Sequence, residues 1–558
     1  MTGPKERARA KRLRALADAA WALSLILFGW RFFAPLEQVA AIELWDETAY
    51  MLRGLRLPLT AWPGGYGPLY SLFYRLLAGV EPEPLRLYYL AYRVGALLLP
   101  LAVYWALRRA EACPWFAGPS AWLVLTARGN AVVWPRVSNF ALAWLLFGLG
   151  LVWGARERAA PWRWAAAGVV LWTAAYIRPE MAAAALLTWA VAAWLAWRAR
   201  RRGRALGPRG LAWYGLLAGV ALPLVLWGAP LQPGRSWDAF AQHFTVRRAQ
   251  MGDDIPDPWR GAGIRPTIAR YFGPEVRSIP AAVRANPGAV AAHIRANAQA
   301  ALHDRRLRNL IDVPWSRVWA ATRSRLLFGL GLGGLVWAVR LRRGRARARL
   351  RLLLAGPVPW LALALLPPLG SMLFIFPHAH YGWIVAVLGL VLAALLVTPT
   401  RDDAPRSPAA WWPWLGVSLN LMLLGALASR TAATSVQVWL RPARENAVPA
   451  LAAFARGLDL SGPVPVLGAE GGLDLYLGPD FVSVDDALIH SEAALLDFIA
   501  QQRVRMLIFQ GDDPGATYFC RGHEHECAAL LAQPRAWGFR PRWISLAEGS
   551  FLVLVAED

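Results

Sequence analysis

Two adjacent carboxylates, Asp46 and Glu47, are the residues whose types and spacing most directly suggest chemistry. They lie in the stretch ELWDETAY (43–50), shortly after the first long apolar segment of the chain. A carboxylate that is held in a partly dry cleft at a membrane face can act as a general base. Position alone leaves a second interpretation open, in which both residues are ordinary solvated loop acids.

A second chemically suggestive stretch is CRGHEHEC (520–527), whose Cys and His residues stand at spacings that can bind zinc. Four ligands within so short a segment would be an unusual zinc site. A disulfide between Cys520 and Cys527 is the favoured interpretation, because the orientation derived below places this segment in an oxidising compartment. A catalytic metal is the least favoured one.

The composition indicates which class of protein must position these residues. Of the 558 residues, 57% are hydrophobic and only 17% are charged, whereas about a quarter of a typical soluble domain is charged. Trp, which favours membrane interfaces, occurs 31 times. The net charge of +24 would also suit a nucleic-acid-binding protein, but the Arg residues cluster between apolar segments, as membrane flanks do. We therefore expect a polytopic membrane protein with no nucleic-acid partner.

Apolar segments that approach the roughly 20 residues needed to cross a bilayer recur along the chain. The basic N-terminus and the apolar run after it are interpreted as an uncleaved first span rather than a signal peptide. A shorter segment, 66–78, is interpreted as a re-entrant or interfacial helix. Eleven spans are predicted, near residues 17–37, 86–107, 112–128, 139–155, 162–177, 180–197, 211–229, 322–340, 350–370, 379–398 and 411–429.

The distribution of Arg and Lys predicts the orientation of these spans. With eleven spans, all the short basic segments fall on one side, which the charge rule identifies as the cytoplasm. The other side, the periplasm for a bacterial inner membrane, receives the loops 41–85 and 230–320 and the C-terminus from Arg430. Within the longer loop, 286–307 predicts an amphipathic helix that lies on the membrane surface.

The C-terminal part of the chain has a different pattern. Short β-rich runs at 464–469, 481–484, 505–509 and 550–557 alternate with helical stretches at 491–502 and 524–532. This pattern is typical of a small α/β domain, and no Gly-rich phosphate loop accompanies it. We therefore predict a polytopic α-helical membrane domain (1–429, including both long loops) and a soluble periplasmic α/β domain (430–558).

Three stretches of the membrane domain resemble the GT-C superfamily of membrane glycosyltransferases. Residues 43–79 are similar to the first periplasmic loop of its protein mannosyltransferases and its aminoarabinose and lipopolysaccharide-core transferases: an acidic pair is followed by the Gly/Pro-rich turn GGYGPLYSLFYRLL. YIRPEMAAAALLTW (176–189) resembles an Arg-Pro-Glu step between two spans of that superfamily. FPHAHYGWIVAVLGLVL (376–392) resembles its late motif of a basic residue beside Tyr. One departure is Asn139, at a place where many members carry a second acid.

The resemblance implies that the donor is a sugar on a polyprenyl phosphate. Asp46 would then be the general base, with Glu47 beside it as a second catalytic residue. Because a hard divalent cation needs several carboxylate oxygens, Asn139 makes a metal-assisted variant unfavoured, and we expect no cofactor. Residues that would bind the phosphate or the sugar offer a cationic, polar or aromatic group near the outer membrane face; they are Arg178, Glu180, His378, His380, Tyr381, Arg247, Arg248 and Tyr66.

Structural interpretations stay open for these binding residues. Arg178 can be an interfacial Arg that is paired with Glu180, and the two His residues can be polar residues at the membrane edge. For Arg247 and Arg248, contact with solvent or with lipid headgroups is the favoured interpretation.

The function that the sequence predicts is transfer of a sugar from a polyprenyl-phosphate donor to a periplasmic-side acceptor, which is a lipid, a glycan or a protein, in contact with membrane lipids. Two alternatives remain. One is a transporter or flippase, which would place charges at mid-membrane, whereas here the acids lie in loops. The other is an envelope assembly protein with a catalytically degenerate membrane part, which Asn139 would explain.

Overall fold

Helices make up most of the chain in this computed structural model. The residues that the structure describes are 4–112, 114–153, 161–203, 211–232, 234–255, 258–259, 261–312, 357–397, 436–440, 447–458, 460, 462–484, 494–510, 517–520, 523–546 and 549–557. The helices, in chain order, are α1 (Pro4–Phe32), α2 (Leu36–Val39), α3 (Asp46–Arg56), α4 (Pro68–Ala78), α5 (Pro84–Arg109), α6 (Pro114–Thr126), α7 (Arg128–Val132), α8 (Val137–Trp153), α9 (Pro161–Ala175), α10 (Met181–Arg201), α11 (Leu211–Trp227), α12 (Arg235–Gln250), α13 (Gly261–Phe272), α14 (Ile279–Ala285), α15 (Pro287–His303), α16 (Arg305–Arg308), α17 (Pro357–Phe374), α18 (Ala379–Val397), α19 (Ala447–Arg456), α20 (Asp474–Leu477), α21 (Leu495–Gln501) and α22 (Glu524–Ala532).

Four of the described helical segments are long and apolar enough to cross a membrane. They are Ala15–Phe32, Pro84–Arg109, Met181–Arg201 and Pro357–Phe374. The described part of the chain is thus that of a helical, membrane-associated protein, but the prediction of eleven spans is wrong. Two of the predicted spans, 322–340 and 411–429, lie outside the described residues.

Four of the five remaining predicted spans correspond to helices that are shorter than the predicted segments, and the fifth, 139–155, corresponds to α8, which has the same length. Segment 112–128 contains α6, of 13 residues, and segment 162–177 contains α9, of 15 residues. At 1.5 Å per residue, helices of this length cover roughly 20–23 Å of the ~30 Å hydrocarbon core. A hydropathy window counts apolar residues even where they do not belong to one continuous helix. Helix α6, for example, ends at Thr126, because the next residue, Ala127, adopts an extended conformation.

The chain divides into two compact units. One, called the helical unit here, comprises Met1–Phe33, Leu59–Tyr70 and Arg93–Trp439. The other, called the sheet unit, comprises Ala34–Pro58, Ser71–Tyr92 and Leu440–Asp558. Parts of the predicted first loop, including the whole of α3, therefore belong to the same compact unit as the C-terminal domain.

The long loop of the helical unit, predicted at 230–320, carries the five helices α12–α16 in its described residues. Aromatic residues of α12 and α13, among them Phe240, Phe244 and Phe272, form a hydrophobic core. The helix predicted over 286–307 is present as α15, and α16 follows it after Asp304; its location on the membrane surface stays a prediction. Asn286 caps α15 by accepting a hydrogen bond from the Ala289 N–H at 2.9 Å, with Pro287 at the first helical position.

A five-stranded sheet forms the centre of the sheet unit. Its strands are β1 (Val464–Leu467), β2 (Phe481–Ser483), β3 (Met506–Gln510), β4 (Phe539–Leu546) and β5 (Gly549–Ala556), in the order β2-β1-β3-β5-β4. The strand β1 pairs in parallel with β2 and β3, and β5 pairs antiparallel with β3 and β4. Helices α21 and α22 cover one face, where Phe498 and Leu530 pack with Leu507 and Leu554.

The prediction of a small α/β domain is confirmed for the described residues. All four predicted strands are present, and helix α22 matches the predicted stretch 524–532. Strand β4 was not predicted. It lies at the edge of the sheet and contains Pro541 between two Arg residues, and an edge strand tolerates Pro and charge where an internal one does not.

Candidate active site

The two adjacent acids lie at the start of helix α3, in the sheet unit. Asp46 is exposed, whereas Glu47 has only 1% of its surface exposed. Helix α3 has acids in its first turn and Arg53 and Arg56 in its last turn. This arrangement complements the helix dipole, whose positive N-terminal end favours negatively charged side chains and whose negative C-terminal end favours positively charged ones. The pair is therefore not two equivalent loop acids, because one acid faces solvent and the other is part of the packed unit.

Tyr74 of α4 holds the buried carboxylate. Its hydroxyl donates a hydrogen bond to Glu47 Oε1 at 2.6 Å, a distance typical of a hydroxyl that donates to a charged carboxylate. A buried carboxylate needs such partners, because an ion without them loses its hydration free energy uncompensated. Glu47 thus fixes the first turn of α3, and with it the backbone from which Asp46 extends.

The C-terminal end of α3 is held by the same stretch of chain. The Arg75 guanidinium donates to the Gly54 carbonyl at 2.8 Å and to the Leu57 carbonyl at 2.7 Å. These bonds satisfy carbonyl groups that have no partner within a helix end. A Cβ atom at Gly54 would lie 2.5 Å from the Ser71 carbonyl oxygen. Helices α3 and α4 therefore approach each other so closely here that only glycine fits at position 54.

The helical unit contains most of the predicted binding residues. Arg178 is buried, and its Nε donates to Glu180 Oε1 at 2.7 Å. Its guanidinium also lies 4.9 Å from the centre of the Tyr381 ring, and the centre of the His380 ring lies 4.2 Å from that of Tyr381, with the two ring planes tilted by 59°. The structure thus brings together four predicted residues from two distant stretches of sequence.

His378 continues this cluster towards α12. Its ring centre lies 5.1 Å from that of His380, and its Nε2 lies 3.3 Å from Nε2 of His243. Burial, and the nearby positive charge of Arg178, lower the pKa of His378 to about 4. Burial, with His378, His293 and Arg247 nearby, lowers the pKa of His243 to about 3. Both imidazoles are therefore neutral at pH 7 and act there as hydrogen-bonding groups, not as cations.

Arg247 and Arg248 have different surroundings. The Arg247 guanidinium lies 4.6 Å from the Phe376 ring centre, and its Nε donates to Asn297 Oδ1 at 3.0 Å. Its Nη2 is buried without a hydrogen-bond partner among the described residues, and burial lowers the pKa of this group. Arg248 instead donates two hydrogen bonds to Asp253, at 2.9 and 2.7 Å, which raise its pKa.

Tyr66, the remaining predicted residue, also belongs to the helical unit. Its side chain is partly exposed, and the Arg235 guanidinium lies 4.3 Å from its ring centre. Tyr66 thus faces a cation that the sequence analysis did not single out.

Sequence analysis missed several residues of this cluster. Asn297 and His293 on α15 hydrogen-bond the carbonyl groups at the end of α17; Asn297 Nδ2, for example, donates to the Leu373 carbonyl at 2.9 Å. Their spacing of four residues on one helix face was the available signal. His243 has no sequence signal of this kind, because its partner His378 is 135 residues away.

Asn139, the departure from the superfamily pattern, belongs to a buried amide network. Its Nδ2 donates to Asn130 Oδ1 at 3.0 Å, and its Oδ1 accepts from the Trp383 indole N–H at 2.9 Å. Asn130 Nδ2 in turn donates to the Ala96 carbonyl at 3.0 Å. An acid at position 139 would lose the donor to Asn130, so this site is matched to an amide.

The CRGHEHEC segment contains the expected disulfide. Cys520 and Cys527 are bonded, with their Cα atoms 5.7 Å apart, and both lie in the hydrophobic core of the sheet unit. Arg521 and Gly522 lie outside the described residues. Among the residues that are described, no three His, Cys, Asp or Glu side chains form a group that could hold a metal ion.

Comparison with known proteins does not assign the chain to a family. No protein-family model matches the sequence, and no curated protein matches it.

Proposed function

We propose that this protein is a glycosyltransferase of the bacterial inner membrane that transfers a sugar from a polyprenyl-phosphate donor to an acceptor hydroxyl on the periplasmic side. The helices long enough to cross a membrane and the three GT-C-like stretches support this proposal. The observation that carries it is the different environment of the two acids: Asp46 is exposed at the start of a helix whose next residue, Glu47, is locked in place by Tyr74.

In the proposed reaction Asp46 accepts the proton of the acceptor hydroxyl. The acceptor oxygen then forms a bond to the anomeric carbon of the sugar, and the bond between that carbon and the phosphate oxygen breaks. The polyprenyl phosphate leaves with the bonding electron pair, and its added negative charge is stabilised by hydrogen-bond donors. The step needs neither an oxidant nor a nucleotide. Glu47 positions Asp46 and does not itself take up the proton.

The phosphate-binding role is assigned to a group of side chains in the helical unit, called the basic cluster here, which consists of Arg178, Arg247, His378, His380 and Tyr381. Arg178 and Arg247 supply the permanent charge, since guanidinium groups stay protonated and match phosphate geometry. Arg247 Nη2, buried without a partner among the described residues, is a donor that a phosphate oxygen would satisfy. His378 contributes a hydrogen bond from a neutral ring. Arg248 is not part of this proposal, because both its Nε and its Nη2 donate to the Asp253 carboxylate; Arg178 is retained although its Nε donates to Glu180.

The test is transfer by purified protein with a radiolabelled or fluorescent polyprenyl-phosphate sugar. Asp46→Asn keeps the size of the side chain but removes its basicity, and loss of a positioned general base costs about 10²–10⁴-fold in rate. We expect that loss in kcat, with unchanged thermal stability and unchanged donor binding. A polyprenyl phosphate should also be found by mass spectrometry in lipid extracted from the purified protein.

Two results would contradict the proposal. One is wild-type turnover by Asp46→Asn protein, which would leave the acidic pair without a catalytic role. The other is the failure of wild-type protein to transfer sugar from any polyprenyl-phosphate donor to lipid, glycan or protein acceptors.

A further inference from the structure

Helix α3 is bound to one short segment of the C-terminal domain, residues 470–476. The Trp45 N–H donates to the Gly471 carbonyl at 2.9 Å. At the third residue of the helix, the Thr48 hydroxyl lies 3.3 Å from the Tyr476 hydroxyl, and both groups are buried. At the other end of α3, Arg56 Nη1 donates to Asp474 Oδ2 at 2.7 Å. The segment therefore contacts the first and the last turn of the helix that carries Asp46 and Glu47.

Two consecutive glycines make this contact possible. Gly471 and Gly472 have φ values of 65° and 84°, a region that glycine enters without strain and other residues rarely adopt. A Cβ at Gly472 would lie 2.5 Å from Thr48 Cγ2, and one at Gly471 would lie 2.9 Å from the Trp45 nitrogen. Glycine is therefore required at both positions for two reasons: the backbone conformation, and the close approach to α3.

The residue that precedes the acids is itself strained. Trp45 has φ = 69°, which is unusual for a bulky residue and persists only where the surroundings enforce it. The hydrogen bond from Trp45 to Gly471 is one of these enforcing contacts. The indole is 57% exposed, so burial of the ring does not hold Trp45 in this conformation. The backbone hydrogen bond to segment 470–476 does.

From these contacts we propose that segment 470–476 positions the acidic helix, and that Gly471, Gly472 and Asp474 are positioning residues of the transferase reaction. The proposal rests on the proposed function, in which Asp46 is the base. It gives the C-terminal domain a defined role: the domain holds α3 in the orientation in which Asp46 meets the acceptor hydroxyl. A base displaced by about 1 Å can lose about 10²-fold in rate while substrate binding is retained.

The experiment uses the full-length protein and three variants. Gly472→Ala introduces the methyl group that meets Thr48 Cγ2. Gly538→Ala is the matched control, because Gly538 has a similar φ of 76° and no atom within 4 Å of the added Cβ. The double variant Gly472→Ala/Thr48→Ser removes the clashing methyl group of Thr48 but keeps the hydroxyl that faces Tyr476.

Two readouts separate positioning from general stability. The first is hydrogen exchange of peptide 46–56, with peptide 506–510 of β3 as the reference for global unfolding. The second is transfer kinetics. For Gly472→Ala we expect faster exchange in 46–56 only, and a kcat lowered between about 10-fold and 10²-fold with the donor KM unchanged. Gly538→Ala should match wild type in both readouts, and the double variant should recover most of the loss.

A gentler pair of variants covers the case in which Gly472→Ala does not fold. Asp474→Asn removes the ion pair with Arg56, and Glu83→Gln removes the ion pair with Arg456, which also joins an early residue to the C-terminal domain but does not involve α3. We expect Asp474→Asn alone to accelerate exchange in 46–56 and to lower kcat.

The outcomes distinguish this proposal from the proposed function. Exchange and kcat values for Gly472→Ala or Asp474→Asn that equal those of their controls would overturn the positioning role while leaving an active transferase. Altered exchange in 46–56, in a protein whose wild-type form transfers no sugar, would support the mechanical contact but overturn its role in a transferase, together with the proposed function.

Discussion

Asp46 and Glu47 are neighbours with opposite environments because they lie on a helix. Successive helical residues are rotated by about 100°, so one side chain can face solvent while the next faces the packed side. The sequence analysis predicts a loop here and leaves open whether the two acids are solvated or lie in a partly dry cleft. The residue types suggested the chemistry, but only the helix shows which of the two acids is accessible.

The Tyr74–Glu47 hydrogen bond supports a prediction about stability. Tyr74→Phe removes the donor and leaves the buried carboxylate with one bond fewer, a loss worth about 1–3 kcal/mol. We expect a lower thermal midpoint in detergent and a lower kcat, since α3 loses a restraint. In the Glu47→Gln background, Tyr74→Phe should lower the stability by a smaller amount, because a neutral amide depends less on the hydroxyl donor than a carboxylate does. Equal costs in both backgrounds would contradict a direct interaction.

The phosphate-binding role of Arg178 can be compared with that of Arg248. Arg178→Ala removes a buried guanidinium of the basic cluster, and loss of a charge-assisted phosphate contact, worth about 1.5–3 kcal/mol, should raise the donor KM about tenfold or more. Arg248→Ala removes a guanidinium of equal charge that is bound to Asp253, so the donor KM should stay at the wild-type value. Equal effects of the two substitutions on KM would argue for a general effect of positive charge.

At the scale of elements, α12, α15 and the residues between α17 and α18 contribute a group of histidines, of which His293 is buried and His243 and His378 are partly buried. Burial is the main cause of the lowered pKa of His243 (about 3), His293 (about 4) and His378 (about 4). Each is neutral in the folded protein but titrates near pH 6.5 when unfolded. Between these values the unfolded chain binds more protons, so the stability that they contribute is complete above about pH 6.5 and falls with decreasing pH.

The corresponding prediction is that the helical unit loses stability on acidification from pH 7 to pH 5. Each histidine contributes up to about 1.4 kcal/mol per pH unit in that range. His243→Phe, which keeps the ring packing, should flatten the dependence of the unfolding midpoint on pH. His303→Gln, at the exposed end of α15, should leave the dependence as in wild type. A wild-type midpoint that does not fall between pH 7 and pH 5 would contradict these pKa values.

The elements differ in how far the sequence could predict them. Strands β1, β3 and β5 are continuous apolar runs, and the hydrophobic pattern was sufficient. Strand β4 is an edge strand, and Pro541 and the neighbouring Arg residues interrupt the apolar pattern that would predict it. Helix α3 has only 11 residues and lies within the segment 41–85 that the sequence predicts as a loop. The basic cluster was predicted in part, because Arg178 and Tyr381 stand out by type. Tyr74, Asp474 and His243 were not, since their partners are distant in sequence and no local pattern reports such contacts.

At the scale of the whole molecule, the sheet unit is assembled from separated parts of the chain. Its core is the C-terminal sheet, yet α3 and Ser71–Tyr92 belong to the same compact unit. Cutting the chain near residue 430 would therefore not separate two independent domains, because it would remove the segment 470–476 from α3. The acidic helix and the C-terminal domain are parts of one compact unit, which a division of the sequence by hydropathy cannot reveal.

The orientation of this unit relative to the membrane is the last prediction. The Arg distribution predicts that the N-terminus and the residues after α10 are cytoplasmic, and the prediction of a periplasmic C-terminus additionally requires an odd number of spans. In the helical unit, Arg108 at the end of α5 donates to Asp18, near the start of the apolar span Ala15–Phe32 of α1, at 2.6 and 2.9 Å, so the two span ends that are predicted to lie on the cytoplasmic side are in contact. The Cys520–Cys527 disulfide favours an oxidising compartment for the other end of the chain, which agrees with the predicted periplasmic C-terminus.

Reporter fusions test this orientation directly. A phosphatase that folds only in the periplasm should be inactive when fused after Arg204 and active when fused after Asp558, and a cytoplasmic fluorescent reporter should show the reverse. Fusions with the opposite pattern would place the disulfide in a reducing compartment. They would also remove Asp46 from the side on which a polyprenyl-linked sugar is proposed to be transferred, since α3 and the C-terminal sheet belong to one unit and must lie on the same side of the membrane.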